Sequence, residues 1–349
     1  MKGLILCAGR GTRLYPLSYS QPKTLLPVAN HPVLYYCIQK LVESGIHEIG
    51  IVIHPSQSQI KEYVGDGSRF SAKLHFFEQA QPLGIAHAVK QARDFLQDSP
   101  FFLLLGDNLL MDSLAQLRAT FEAAQADCSI LLRQVDRPQD YGIAELKDGQ
   151  IISITEKPKQ PKSNLAVIGA YLFTPDIFTI IDTLQPSARG EYEITDAIQG
   201  LLLQNRKITY AITQGDYSDV GTIERWLSAN RWMLDKRFGK EISVGDTSIV
   251  ENCELIGPVV IGEGCVIRNS KIGPYVSIQD GAELINCYEI RDSILLEKTS
   301  MVDIDWEVQR SVFGRSSQMV GKPQEQNGIF IVSDRSYILF PQTKKRSDP

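Results

Sequence analysis

A short apolar run at residues 4–7 leads directly into the glycine-rich segment AGRGTRL at 8–14. A glycine turn behind a first strand lets backbone N–H groups approach phosphate oxygens without interference from Cβ atoms. The segment is not a dinucleotide fingerprint, because Leu14 stands where a third glycine is needed after Gly9 and Gly11. It also lacks the G-x-x-x-x-G-K-[ST] pattern of a Walker loop. Two cations accompany it, Arg13 inside the loop and Lys23 in QPKTLLPV. Such a pair suits a polyphosphate, since charge-assisted contacts to phosphate strengthen as water is excluded. Two carboxylates complete the set: Asp107 after the run FFLLLG, and Asp219 in SDVGT. Mg²⁺ takes one or two carboxylates and fills its shell with water and substrate phosphate, so both residues are candidate ligands. Asp219 fits equally well as a cap or turn residue ahead of a helix.

These residues need a scaffold, and the first two-thirds of the chain predicts one. Strands are expected at 4–7, 49–53, 74–77, 101–105, 128–132, 166–173 and 208–212. Amphipathic helices are expected between them at 32–44, 85–96, 114–124, 175–184 and 222–234, with Gly45 stopping the first. Strands alternating with helices imply a mostly parallel sheet covered on both faces, with ligands beyond the carboxyl ends of the strands. From about residue 241 the period changes. Apolar residues recur every five or six positions, from Ile249, Leu255, Ile261 and Ile267 through Val302 to Met319. A solenoid explains that period: each segment makes one flat side, three sides close a coil, and the recurrent residue points inward. The run accommodates about four coils. The end, with Lys344, Lys345 and Arg346, reads as a solvated tail.

Composition sets outer limits. The 349 residues suggest two domains or so, and the net charge of −5 argues against a protein that coats nucleic acid through bulk charge. Six dispersed cysteines without a C-x-x-C fit a reduced cytoplasmic compartment better than zinc or disulfides. No signal peptide and no apolar stretch of membrane-spanning length is evident, so no membrane partner is expected.

Taken in order, LILCAGRGTRL, PKTLLPV, QAQPLGIAHAV, LLLGDN, YGIAEL, EKPKQPKSNLAVIGAYLF, RGEYEITD and SDVGT resemble the sugar-1-phosphate nucleotidylyltransferases. The likeness is closest to the glucose-1-phosphate thymidylyltransferases in their long form. It is dense over residues 1–236 and looser over the repeat region. It implies an α/β fold: a Rossmann-like, GT-A-like mixed-sheet catalytic domain at 1–236, a hexapeptide-repeat left-handed parallel β-helix at 241–322, and a tail at 323–349. By this resemblance Leu6, Ala8, Gly9, Gly11 and Thr12 line the nucleotide, while Arg13 and Lys23 hold its phosphates and the leaving pyrophosphate. Gln79, Pro82 and Gly84 face the base, and Asp107 and Asp219 hold Mg²⁺. Asn108, Gly142, Glu156 and Val167 line the sugar phosphate, and Lys157 and Arg189 grip its phosphate. The implied substrates are dTTP, with UTP as a second candidate, and glucose 1-phosphate or a related sugar 1-phosphate. A homo-oligomer is implied as well. The Gln79 amide offers a donor and an acceptor that match N3–H and a carbonyl of thymine or uracil. Standing alone, it would read as an exposed loop amide.

Two departures matter. Many relatives carry a tryptophan just before the second metal aspartate, where this chain has Tyr217 and Ser218; Arg10 stands where glycine is common, directed to solvent or to a phosphate. Three rival readings remain: a uridylyl- or guanylyltransferase, a sugar-nucleotide sensor without catalysis, and a bifunctional acyltransferase. Retention of both aspartates, Lys23 and Lys157 weighs against the sensor. All five histidines precede residue 88, so the solenoid lacks the base that acyl transfer there would use. It is expected to serve assembly or regulation.

Overall fold

The apolar run at the amino terminus becomes the parallel strand Lys2–Leu6, with Glu48–Ile53 on one side and Phe101–Leu105 on the other. Its two successors in the sheet therefore lie to opposite sides, and a crevice opens at its carboxyl end, where α/β sheets bind ligands. Lys73–Glu78 extends the sheet beyond Glu48–Ile53, again in parallel. The computed structural model describes residues 1–321 and 328–340, so the expected basic tail lies outside the described residues. These residues form two compact units, one of Met1–Arg10, Pro22–Leu25 and Val33–Asp219, the other of Gly11–Gln21, Leu26–Pro32 and Val220–Pro349.

In the first unit the sheet is mixed rather than mostly parallel. Leu165–Phe173 runs antiparallel to Phe101–Leu105, Cys128–Gln134 and Gly142–Lys147. It serves all three because its register breaks between Val167 and Tyr171, at Gly169 with φ +72°. Gln150–Glu156 pairs antiparallel with Gly142–Lys147 through a turn in which Asp148 and Gly149 both have positive φ. The helix Val33–Glu43 buries Val33, Cys37 and Leu41 along one stripe, with Leu34 and Ile38 beside it. It stops as expected: Gly45 N–H donates to Val42 O and Ile46 N–H to Leu41 O, satisfying the terminal carbonyls. The single helix expected at 85–96 is broken at Ala92 into Ile85–Gln91 and Arg93–Leu96. Ser58–Val64 and Ile194–Leu203 are further helices, and the latter packs Ile194, Ala197, Ile198 and Leu201 onto the sheet core.

The second unit is built on a parallel β-helix. Six strands stack on one face, from Ile242–Val244 through Val259–Ile261, Val276–Ile278, Ser293–Leu295 and Val312–Phe313 to Ile331–Val332. The stack is longer than four coils, and it continues past residue 322: Tyr337–Phe340 pairs with Gln318–Gly321. Ile331–Val332 and Tyr337–Phe340, expected in the tail, thus belong to the solenoid. Partners in adjacent coils are commonly 17 residues apart, as in Ile249 with Val266 and Glu283 with Ser300. That spacing shifts the inward phase at two places. Ile249 is 44% exposed while Val250 packs on the core, and Met301 is fully buried in place of the half-buried Val302. One corner carries a ladder of side-chain amides. Asn252 Nδ2 donates to Asn269 Oδ1 at 2.7 Å, Asn269 to Asn286 at 2.9 Å, and Asn286 to Asp303 Oδ1 at 2.7 Å. All four residues have positive φ, a conformation that Asn and Asp tolerate better than most.

The helix Ile223–Phe238, placed in the first domain by the motifs, belongs to this second unit. Trp226 is fully buried and its Nε1 donates to Pro27 O at 2.6 Å. Asn230 Oδ1 accepts from Ala29 N–H and Ser277 Oγ, each at 2.8 Å, and Asn30 Nδ2 donates to Ile278 O at 2.6 Å. The helix, the small hairpin of Pro27–Val28 and His31–Pro32, and the coil at Val276–Ile278 are therefore knitted together through Asn30 and Asn230.

Candidate active site

Beyond the end of Lys2–Leu6 the chain leaves the sheet as Cys7-Ala8-Gly9, and beyond Phe101–Leu105 it leaves as Gly106-Asp107. The two exits touch. A Cβ on Gly106 would lie 2.7 Å from Cys7 Sγ, and one on Gly9 would lie 3.0 Å from Lys23 Cε. Glycine at both positions therefore allows Lys23 to reach across and pair its ammonium with Asp107 Oδ2. Gln57 Nε2 adds a donor to Gly9 O at 3.4 Å. Burial pushes the Cys7 thiol up to about 12, so it stays protonated and is no nucleophile.

A cleft of about 240 Å³ is lined by Leu6, Ala8, Gly9, Lys23, Gln79, Pro82, Gly84 and Asp107, together with Ile85, Ala88, Leu105 and Glu191. Eight residues assigned to the nucleotide from the sequence thus meet in one place. Gln79 is only 5% exposed, so the loop-amide reading does not hold. Its Nε2 donates to Gly84 O at 3.1 Å and contacts His87 Nδ1 at 2.9 Å. Gly84 has φ +102°, and a Cβ there would lie 2.6 Å from Tyr192 O, so only glycine fits. Close approach at that point is maintained by Tyr192 N–H donating to Leu83 O and Ala86 N–H to Tyr192 O.

Asp219 is placed by a pair of short antiparallel strands, Asn108–Leu110 and Tyr217–Asp219, in which Asp219 faces Asn108. Asp107 precedes that partner by one residue, so the two carboxylates come from adjacent strand ends. Desolvation raises the Tyr217 phenol far above its ordinary value, and the charges of Asp219 and Asp107 add to the shift. Both aspartates therefore lie within electrostatic reach of one ring. Asp219 is not the helix cap: Thr222 takes that role, its Oγ1 accepting from Arg225 N–H at 3.3 Å. Two carboxylates at adjacent strand ends fit what Mg²⁺ asks of protein. Asn108 is buried and donates from Nδ2 to Ile168 O at 3.0 Å; a Cβ on Gly169 would lie 2.1 Å from that nitrogen.

A second cluster surrounds Glu156. Thr195 Oγ1 donates to Glu156 Oε2 at 3.1 Å, and Arg189 Nη1 donates to Glu156 Oε1 at 3.2 Å. Gly142 closes the group, since a Cβ there would lie 2.5 Å from Thr195 Cγ2 and 3.0 Å from Glu156 Oε2. Register pairs Ala166 with Ile143, which sets the buried Val167 one step from Gly142. Arg189 also pairs with Glu191 and Glu193. Glu193 is nearly buried; burial lifts its carboxyl, Ser187 opposes the lift, and Glu156 adds to it. Lys157 is exposed, with φ +40° and its N–H donating to Tyr141 O at 3.0 Å. Gly11, Thr12 and Arg13 belong to the second unit, where Thr12–Leu14 forms a single 3₁₀ turn and Arg13 is exposed. Arg10, in the first unit, is exposed. Glu191, Glu193 and Thr195 went unassigned from the sequence, although all three stand in the RGEYEITD segment.

Residues 2–236 match the nucleotidyl transferase family model. The chain belongs to that family. A glucose-1-phosphate thymidylyltransferase of Streptomyces griseus is 36% identical over 338 residues, spanning 93% of this chain and 95% of the relative. Among solved structures, a Bacillus anthracis protein described as a glucose-1-phosphate thymidylyltransferase, in complex with sucrose, is 36% identical. It covers 69% of this chain and 98% of its own, with a TM-score of 0.64. A UDP-glucose pyrophosphorylase from Acinetobacter baumanii is 26% identical, covers 68% and 94%, and has a TM-score of 0.60. The mixed sheet with its crevice is thus the Rossmann-like domain of a nucleotidyl transferase, followed here by a parallel β-helix. No helix among the described residues is long and apolar enough to cross a membrane.

Proposed function

We propose that this nucleotidyl transferase moves a thymidylyl group from dTTP to glucose 1-phosphate, giving dTDP-glucose and pyrophosphate. One observation carries the reading: a single cleft gathers a glycine loop, the Lys23–Asp107 pair and a buried amide at Gln79. A phosphate binder, a candidate metal carboxylate and a base reader in one cleft fit a nucleoside triphosphate. The acceptor sugar follows from the named relatives and from the Glu156–Thr195–Arg189 group.

In this reading an oxygen of the sugar phosphate forms a bond to the α-phosphorus, and the bond to the β-phosphate's bridging oxygen breaks. A phosphate monoester has a second pKa of about 6, so at neutral pH it attacks as a dianion and no general base is needed. The protein's work is positioning and charge neutralisation. Asp107 and Asp219 would hold Mg²⁺, which when bound neutralises charge on the transferring phosphate. Lys23 turns from Asp107 to the nucleotide phosphates. Arg189 and Glu191 are 40% and 36% exposed, and a pair so exposed is worth only about 0–1 kcal/mol, so Arg189 exchanges that carboxylate for the sugar phosphate at small cost. Lys157 assists it; Glu156, Gly142, Val167 and Asn108 line the sugar.

UTP is the second reading. Thymine and uracil present the same edge to Gln79, a methyl-sized contact discriminates only about 10- to 200-fold, and a solved UDP-glucose pyrophosphorylase shares the fold. We further place the enzyme in the cytoplasm, where its six free cysteines would remain reduced. We assign it a homo-oligomeric state, to which the exposed Ile152 and Ile212, on two of the sheet's three edge strands, contribute. The test is a matrix of nucleoside triphosphates against sugar 1-phosphates, read by pyrophosphate release. The expected maximum of kcat/KM is dTTP with glucose 1-phosphate, followed by UTP. Preference for a purine triphosphate, or no pyrophosphate release with any pair, would overturn the assignment.

A further inference from the structure

The Gln79 amide does not meet the cleft with both of its faces. Nε2 carries two protons and no acceptor lone pair, and it contacts two groups: Gly84 O at 3.1 Å and His87 Nδ1 at 2.9 Å. The imidazole nitrogen must therefore accept, which places the ring proton on His87 Nε2. A neutral imidazole accepts on one nitrogen only, so the longer 3.3 Å approach of Gln91 Nε2 to His87 Nε2 is no second donation. Gln91 is exposed and already donates to His87 O at 3.1 Å. His87 is held neutral by partial burial, with the charge of Lys90 on the same helix acting in the same direction. Its ring also lies against Tyr192, with centroids 6.2 Å apart. With both Nε2 protons engaged, Gln79 Oε1 is the amide's open valence, and Gln79 lines the cleft.

We propose that His87 is a positioning residue that fixes the orientation of the Gln79 amide, so that the cleft presents an acceptor and not a donor to the base. This rests on Gln79 facing the base, as in the proposed function. An acceptor at that point is complementary to N3–H of thymine and uracil. It opposes the N3 lone pair of cytosine, which is an acceptor itself. The contact therefore selects between pyrimidines by the base edge, while remaining indifferent to the methyl that separates thymine from uracil.

The test compares kcat/KM for dTTP with that for dCTP, using glucose 1-phosphate as acceptor. The proteins are the full-length wild type, His87→Leu and His87→Gln. Leucine removes the acceptor, leaves the amide free to turn, and is expected to lower the dTTP-to-dCTP ratio about tenfold, a factor typical of one hydrogen bond. Glutamine restores an acceptor and is expected to restore the ratio, which a purely structural role for the ring would not predict. Melting temperature and the KM for glucose 1-phosphate are measured alongside, to show that both variants are folded and otherwise competent. A folded His87→Leu with the wild-type ratio overturns the role of His87 and leaves the thymidylyl reading intact. Failure of glutamine to restore the ratio, with melting unchanged, also overturns it. A wild type that prefers dCTP or a purine triphosphate overturns both this inference and the reading beneath it.

Discussion

Asp107 and Asp219 are separated by more than a hundred residues, yet the pairing of Asn108 with Asp219 brings them to adjacent strand ends. An amide in either position keeps size and shape but removes a charge and a hard oxygen ligand. Asp107→Asn and Asp219→Asn should each lower kcat/KM by at least about 10²-fold, in line with the loss of one preorganised electrostatic contact. Circular dichroism and melting should show retained structure, and near-normal pyrophosphate release from both variants would remove them from the machinery. At this scale the sequence was informative where chemistry needs a rare residue in a rare setting. Lys23 follows a glycine loop and Asp107 a buried strand, Gln79 was legible only through the resemblance, and the three converge on one cleft. It was uninformative at Glu191 and Glu193. Carboxylates two and four positions after Arg189 look like solvated charges, and only folding shows Glu193 nearly buried beneath that guanidinium.

Among the elements, strong periodicity was legible and weak periodicity was not. The hairpin of Gly142–Lys147 and Gln150–Glu156 lies at the sheet edge, so its outward residues dilute the alternation. The Asp148-Gly149 pair was its best available signal, a turn dipeptide with both φ positive. In the solenoid the inward phase slips from the expected six-residue spacing, because a 17-residue coil cannot be three equal sides of six. The hairpin ahead of the solenoid carries its own testable chemistry. Burial, with Arg237 on the neighbouring helix, lowers His31 from an ordinary 6.5 to about 4. Unfolding would release the imidazole to its ordinary value, so between those limits the unfolded chain binds more protons than the native one. The native state is therefore favoured fully above about 6.5 and progressively less as pH falls toward about 4. Melting temperature should decline across that window, and His31→Gln should decline less steeply. Parallel profiles for the two proteins would show that His31 is not the group responsible.

For the whole molecule, the motifs suggested a catalytic domain that ends near 236 and a separate solenoid, but packing divides the chain differently. The loop Gly11–Gln21, which contains Arg13, and the hairpin 26–32 belong to the same compact unit as the solenoid. Asn230 joins Ala29 to Ser277, and Asn30 binds Ile278 O. Removing residues 241–349 would take the Ser277 partner from Asn230 and the Ile278 carbonyl from Asn30, and strip away the strands Val259–Ile261 and Ser293–Leu295 that pack on Ile223–Phe238. The truncated protein should melt lower, by more than one lost hydrogen bond of about 1 kcal/mol would explain. An unchanged melting temperature would mean that the solenoid does not brace the helix Ile223–Phe238 and the hairpin 26–32. A sequence reading could not anticipate this, because the contacts join segments some two hundred residues apart and no period marks them.

The amide ladder has a consequence for how such a chain can change over generations. Asn252, Asn269, Asn286 and Asp303 stand at intervals of 17 residues, and every rung requires its neighbour in the same corner. A one-residue insertion between two rungs would displace every later rung and turn core residues outward. Duplication or loss of a stretch of 17 would instead add or remove one complete storey. Heritable variation in solenoid length should therefore occur in whole-coil steps, while small indels are confined to the corners where a loop can absorb them.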